Sequence, residues 1–202
     1  NDNWTISAGD DHVLTETGSG YYPPNQCIRT DTHSWQVTNA SGGVSLDLAS
    51  LSLQGYTACT VEVRIAAIAK TSGNGMEAND YIDIFAATDG GAFPGTADIR
   101  LTGATNTNAR WAYTNAVMTA ITTAGAPLHV YSPQGGLNTN NYGCALIVLP
   151  AAATSVALRV TAVNNSGDEI WCVDDIKISG SSPSLPSYVA GYSNRAVAGT
   201  AE

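Results

Sequence analysis

The fold is decided by a run of alternating side chains, Cys59-Thr-Val-Glu-Val-Arg-Ile-Ala-Ala-Ile-Ala69. A second run, Ser155-Val-Ala-Leu-Arg-Val-Thr-Ala-Val163, alternates in the same way. Successive side chains of a β-strand point to opposite faces of its sheet, so this alternation predicts half-buried strands rather than helices. The β-branched residues that share one face favour the same interpretation.

Similar short runs recur along the rest of the chain, separated by clusters of Gly, Asn, Pro and Ser. They are Ser34–Thr38, Val44–Leu48, Tyr81–Ala87, Ala109–Thr119, Leu128–Tyr131, Cys144–Leu149 and Ile170–Ser179. Many short strands with frequent turn signals are typical of an antiparallel sandwich. We therefore predict an all-β, antiparallel, jelly-roll-like β-sandwich over residues 1–180, with an extended strand at the C-terminus.

The composition changes after Gly180. Residues 181–187, rich in Ser and Pro, indicate an extended linker. Residues 188–202 have strand character but are too few to fold alone, so we expect them to pair with a sheet edge of this chain or of a neighbouring copy. The predicted subunit contacts are Tyr188, Val189, Tyr192 and Val197.

Charge excludes two classes of partner. The chain has 8 Lys and Arg residues against 17 Asp and Glu residues, for a net charge of -9. Nucleic acid and anionic membrane surfaces both require clustered basic residues, so neither is an expected partner. No apolar stretch is long enough to cross a bilayer, and the polar start at Asn1 differs from a secretory leader. These features favour a mature extracellular or cell-surface protein.

The cysteines point the same way. Their number is even, and in a secreted chain four cysteines predict two disulfides, whose pairing the sequence leaves open. They are Cys27, Cys59, Cys144 and Cys172. The alternative is four buried free thiols.

Acidic residues lie on or beside two of the predicted strands, in Glu77–Phe85 and Asp168–Ile176. Alternation places Asp80 with the apolar Ile82 and Ile84, and it places Cys172, Asp174, Ile176 and Ile178 on one face. A buried carboxylate needs hydrogen-bond donors or a cation. Calcium fits, with Glu77, Asn79, Asp80, Asp174 and Asp175 as oxygen ligands. Alternatively, Asp80 and Asp174 cap loops or pair with Arg.

The same two motifs, Glu77-x-x-Asp80-Tyr-Ile and Glu169-Ile-Trp-Cys-Val-Asp-Asp-Ile176, resemble those of bacterial secreted and cell-surface jelly-roll modules of the MAM-like or P-domain-like kind. The resemblance spans roughly Trp4 to Gly180 and implies a structural calcium ion. The implied ligands are Glu77, Asp80, Asp174 and Asp175, with Asp168 and Glu169 as secondary candidates. The segment after Tyr188 resembles the start of a fibronectin type III-like repeat, cut short.

Three functional classes follow. The first is a non-catalytic extracellular structural or adhesive module, with neighbouring copies or other surface proteins as partners, which can form filaments by strand pairing. The second is a carbohydrate-binding module that uses aromatic and amide side chains. Its candidate residues are Trp111, Tyr131, Gln134, Asn138, Asn140 and Tyr142, with a polysaccharide as partner. The third is a glycan-active enzyme, for which the sequence offers carboxylates but no catalytic motif.

Overall fold

The chain forms a β-sandwich in the computed structural model. The structure describes residues 34–69, 75–103, 120–131 and 143–181 in full, and it describes the backbone alone at 4–6, 13–14, 117–119, 142, 189–190 and 196–197. No helix occurs in this described part, and so none there is long and apolar enough to span a membrane. The predicted all-β sandwich is confirmed.

One sheet, here called sheet A, has the strand order β1-β4-β11-β6-β7-β9. Its strands are β1 (Trp4–Ile6), β4 (Val44–Ser52), β6 (Tyr81–Thr88), β7 (Ile99–Thr102), β9 (His129–Tyr131) and β11 (Ser155–Val163). Neighbouring strands are antiparallel except β7 and β9, which are parallel. On the outer face, Asp83 accepts two hydrogen bonds from the Arg100 guanidinium, each of 2.6 Å.

The second sheet, sheet B, has the order β14-β13-β12-β5-β10-β8, with β3 also paired to β12 and β2 to β3. Its strands are β2 (Val13–Leu14), β3 (Ser34–Val37), β5 (Thr57–Ala69), β8 (Val117–Thr123), β10 (Tyr142–Val148), β12 (Glu169–Ser181), β13 (Val189–Ala190) and β14 (Ala196–Val197). The edge pair β8 and β10 is parallel, another departure from the predicted antiparallel arrangement. In both sheets a C-terminal strand is central, since β11 lies between β4 and β6, and β12 lies between β5 and β3.

The core lies between the two sheets, and the alternation that predicted strands accounts for it. On β5, Val61, Val63 and Ile65 point into the core, whereas Glu62 and Arg64 point outward. β11 repeats this pattern along its whole length. Burying an aliphatic side chain of this size contributes about 1.5–3 kcal/mol, so the strands are held together mainly by these inner faces.

A β-bulge corrects one prediction for β12. The register against β5 shifts between Asp174 and Lys177, and Asp175 adopts a positive φ of 44°. One extra residue reverses the alternation beyond it. Ile176 and Ile178 therefore belong to the core together with Trp171 and Val173, and Cys172 and Asp174 do not share their face as predicted.

The predicted disulfides are wrong for the described cysteines, because Cys59, Cys144 and Cys172 are free and buried. Cys144 is opposite Arg64 and Cys172 is opposite Ala66, on the two sides of β5. Strands are about 4.8 Å apart, so these cysteines are two spacings apart, beyond the ~7 Å Cα separation that a disulfide tolerates. Cys27 lies outside the described residues.

The described part of the C-terminal segment pairs within its own chain. Ala190 of β13 is opposite Ile178 of β12, and β14 pairs with β13. This is one of the two arrangements that the sequence allows. Tyr188 and Tyr192 lie outside the described residues, as do the linker residues 182–187.

A candidate metal centre

Three carboxylates meet at one end of the sandwich, where β6 of sheet A and β12 of sheet B both begin. Glu77 and Asp80 belong to the turn that leads into β6 of sheet A, and Glu169 is the first residue of β12 in sheet B. One oxygen of each lies within 4.8 Å of the others. Asp80 and Glu169 are buried, with 0% and 2% of their surface exposed, and Glu77 is half-buried.

The turn at Glu77 is fixed by hydrogen bonds at both of its ends. The backbone amide of Glu77 donates to Asp80 Oδ2 at 2.8 Å, and the Asp80 amide donates to the Glu77 carbonyl at 3.1 Å. Gly103, just after β7, donates its amide to the Asp80 carbonyl at 2.7 Å. A Cβ at Gly103 would lie 1.9 Å from the Glu77 carbonyl oxygen, so only glycine allows this approach. The Asp80 side chain and the backbone of Glu77 are thereby held in place.

The loop 164–168 builds the opposite wall of the site. Asn164 is fully buried, and its Nδ2 donates to the carbonyls of Glu169 at 2.8 Å and Val37 at 3.0 Å. Its Oδ1 accepts the Ala40 amide at 3.0 Å. The backbone amides of Asn165 and Ser166 act to lower the pKa of Asp80 and Glu169 respectively, but this effect is smaller than that of burial.

These donors do not satisfy the cluster. Asp80 Oδ1 and Glu169 Oε2 are buried and have no hydrogen-bond partner. Burial raises the pKa of Asp80 despite the amide hydrogen bonds. Burial, followed by the charges of Asp80 and Glu77, raises the pKa of Glu169 to about 7. Two buried carboxylate oxygens therefore lack a partner, in a cluster whose negative charges repel one another.

A bound cation would satisfy both of these buried oxygens. Carboxylate oxygens are hard ligands of the type that calcium and magnesium bind, and the cluster contains no histidine or cysteine that would favour zinc or copper. A cation bound here would bridge the two sheets, because its ligands come from the start of β6 and the start of β12. The donor set therefore fits a structural ion.

The predicted ligands divide into two groups. Glu77 and Asp80 lie in the cluster, and the third carboxylate comes from Glu169, a secondary candidate in the sequence. Asp174 and Asp175 are five and six residues further along β12, roughly 16–20 Å at the usual strand rise. They have other contacts there, since Asp174 Oδ1 accepts the Asp175 amide at 2.8 Å and Asp175 pairs with Arg64 at 3.4 Å.

Most of the residues that were predicted to bind carbohydrate lie where the structure does not describe side chains. Trp111, Gln134, Asn138 and Asn140 lie outside the described residues, and only the backbone of Tyr142 is described. Tyr131 is on β9, where its ring stacks on His129 with 4.3 Å between centroids, and it packs partly against the core.

Comparisons with known proteins give structural likenesses only. No protein-family model matches the chain, and no curated protein matches it significantly. A CBM4 structure is 12% identical, with a TM-score of 0.38, and the match covers 89% of this chain and 95% of that one. The K3 cleaved adhesin domain of Lys-gingipain from Porphyromonas gingivalis w83 is 15% identical, with a TM-score of 0.41 and coverage of 87% and 90%. The K2 adhesin domain of Lys-gingipain is 17% identical, with a TM-score of 0.40 and coverage of 86% and 87%. We infer no function from these likenesses.

Proposed function

We propose that the chain is a non-catalytic, extracellular structural or adhesive β-sandwich module, stabilised by a calcium ion that Glu77, Asp80 and Glu169 bind. One observation carries the cation site. The cluster contains two buried carboxylate oxygens without a partner, Asp80 Oδ1 and Glu169 Oε2, on the ends of strands from different sheets. An unpaired buried carboxylate costs several kcal/mol, roughly, and a bound cation removes that cost.

Burial favours a bound ion over acid–base chemistry. A raised carboxyl pKa and a pair of close carboxylates also occur in glycosidases, where one group must reach the substrate. Here Asp80 and Glu169 have 0% and 2% of their surface exposed, so no sugar ring can approach them. Glu77, which is half-buried, is the ligand at the solvent side and marks the route by which an ion enters.

Calcium suits this donor set better than magnesium. Calcium accepts six to eight oxygens in flexible geometry, including bidentate carboxylates, whereas magnesium requires a near-ideal octahedron. Three carboxylates that come from two sheets supply negative charge, but they do not define a rigid octahedron of ligands. Sites of modest affinity, with a Kd of about 10⁻⁴–10⁻³ M, are typical of extracellular modules. A low-affinity structural calcium ion therefore agrees with the extracellular location that the composition predicts.

The test is the thermal stability of the whole protein with and without calcium. At a calcium concentration of about 100 Kd, binding stabilises the fold by about 2.7 kcal/mol. For a domain of this size that raises Tm by about 5–10 °C. Asp80→Asn retains an acceptor for the Glu77 amide but loses charge, so we expect it to lose most of the increase.

Glu62→Gln is the matched control, since it removes a carboxylate from β5 in sheet B, outside the cluster. It should retain the full calcium-dependent increase. Equilibrium dialysis should give one calcium ion per chain for the wild type and for Glu62→Gln. If calcium and chelator leave the wild-type Tm equal, Asp80 is a turn cap and the calcium site does not exist.

A further inference from the structure

Charged, polar and aromatic side chains form a continuous band across the outer face of sheet A. Strand pairing places two rows side by side, about 6.6 Å apart at the usual strand rise. One row crosses β11, β6 and β7, and the other crosses β4, β11 and β6. The rows consist of Thr161, Asp83 and Arg100, and of Asp47, Arg159 and Phe85. These six side chains are called the sheet A band here.

Both guanidinium groups of the band are paired with carboxylates. Arg159 donates to Asp47 from Nε at 2.8 Å and from Nη2 at 2.6 Å, and Arg100 binds Asp83 through the same fork. Arginine has five N–H donors, and among the described residues none accepts a hydrogen bond from Nη1 of either arginine. The arginine side chains are 38% and 33% exposed. Each pair therefore presents N–H donors beside carboxylate acceptors at the surface.

Aromatic rings lie beside both arginines. The ring centre of Phe93, in the loop 89–98, is 4.4 Å from the Arg159 Cζ, and that of Tyr81 is 3.9 Å from the Arg100 Cζ. Phe85 is opposite Arg159 on β6, and all three rings are half-buried. A guanidinium that is held by a carboxylate and a ring is already fixed before a ligand binds. Binding there costs little further side-chain entropy.

The charge of the band indicates which kind of ligand it suits. Its two Asp and two Arg residues cancel, whereas the whole chain has a net charge of -9. The acidic protein repels an anionic ligand, and a cationic ligand finds the carboxylates of the band already paired. A hydroxyl group both donates and accepts hydrogen bonds, so it suits adjacent donors and acceptors without carrying charge. The band therefore favours an uncharged ligand with many hydroxyl groups.

We propose that the sheet A band binds a neutral polysaccharide. Sugar hydroxyls hydrogen-bond to the two arginine–aspartate pairs, and the apolar face of a sugar ring packs on Phe85 or Phe93. Two adjacent rows on a flat sheet can contact successive sugars of one chain. The proposal rests on the adhesive role proposed above and names its partner. It uses neither the calcium ligands nor the residues that the sequence suggested for carbohydrate binding.

Affinity electrophoresis of the full chain tests the band, in native gels that contain a neutral glucan, mannan, xylan or galactan, or acidic polygalacturonate. At least one neutral polysaccharide should retard the wild type. Arg159→Gln should weaken that binding by about tenfold or more, because it removes hydrogen bonds from a charged donor. Arg64→Gln is the matched control, since Arg64 is 37% exposed and pairs with Asp175 on the outer face of sheet B. It should bind as the wild type does.

Three results overturn the proposal. The first is a wild type that no neutral polysaccharide retards, and the second is tighter binding to polygalacturonate than to any neutral chain. The third is binding that Arg159→Gln weakens no more than Arg64→Gln does. If Arg159→Gln lowers the Tm, Phe93→Ala replaces it, because that variant removes a ring of the site and keeps the pair between Arg159 and Asp47.

The calcium-dependent rise in Tm separates a failure of this proposal from a failure of the proposed function. A wild type that shows the rise but binds no neutral polysaccharide refutes the sheet A band alone. A wild type that binds the polysaccharide without any rise refutes the calcium site alone.

Discussion

Glu169→Gln provides the sharpest test of the carboxylate cluster, because it should have opposite effects with and without calcium. The pKa of Glu169 is raised from 4.5 to about 7 in the metal-free fold, chiefly by burial. Each unit by which folding raises a pKa corresponds to about 1.36 kcal/mol. Ionising Glu169 above pH 7 therefore costs the metal-free fold up to about 3 kcal/mol.

Proton linkage gives the direction in which this stability changes with pH. Because the folded state holds this proton more tightly, the contribution to stability is fully present below pH 4.5 and is lost as the pH rises through about 7. Glutamine cannot ionise, and its amide adds a donor near Asp80 Oδ1. In chelator at pH 8, Glu169→Gln should therefore be more stable than the wild type by up to about 3 kcal/mol, a Tm difference of roughly 6–12 °C. At pH 4 the difference should vanish.

Calcium should remove this advantage. The wild type gains about 2.7 kcal/mol at 100 Kd and about 4.1 kcal/mol at 1,000 Kd, whereas the variant lacks one ligand. Urea denaturation in chelator and in calcium, at pH 4 and pH 8, measures all four differences. A variant that is less stable than the wild type in chelator at pH 8 would refute the view that Glu169 is destabilising without a cation.

Three further predictions concern the groups around the site and the cysteines. Gly103→Ala should lower the Tm and weaken its calcium dependence, because the new Cβ would lie 1.9 Å from the Glu77 carbonyl oxygen. Gly42→Ala is the control, since a Cβ there meets no atom within 4 Å, and it should leave the Tm unchanged. Asn164→Ala leaves the Ala40 amide and the carbonyls of Val37 and Glu169 without their partner, and a loss of less than about 1 kcal/mol in urea denaturation would contradict the expected 3 kcal/mol or more. Thiol titration should detect at least three free cysteines after denaturation, and fewer than three would show that a disulfide is present. Before denaturation Cys172 should react little, since burial raises the pKa of its thiol.

The sequence predicts the strands whose alternation is long, and it fails where a single residue changes the geometry. β5 and β11 are read correctly because their inner positions alternate without interruption. β7 (Ile99–Thr102) is missed because it offers only two inward apolar positions, Ile99 and Leu101, directly after a loop rich in Gly and Pro. The bulge at Asp175 is invisible, since the chain offers no glycine where the positive φ occurs. That one residue separates the face of Asp174 from the face of Ile176.

The candidate site is predicted in part for a similar reason. Asp80 shares the phase of Ile82 and Ile84, so its burial follows from the alternation. Glu169 is the first residue of its strand, so the alternation of its neighbours does not predict which face its side chain occupies. Its proximity to Asp80 depends on how the two sheets are stacked. The disulfides were predicted from an even number of cysteines, but β5 separates Cys144 from Cys172.

The central positions of β11 and β12 have a consequence for how the protein is made. The earlier strands of each sheet lack a pairing partner until a strand from the last quarter of the chain is added. β11 pairs with both β4 and β6, and β12 pairs with both β3 and β5. A ribosome-bound chain that ends before Ser155 therefore has exposed apolar faces and unpaired edges that its own residues cannot cover. Contacts between strands so distant in sequence also favour slow folding. We expect the nascent chain to require protection by chaperones until its C-terminal strands have emerged.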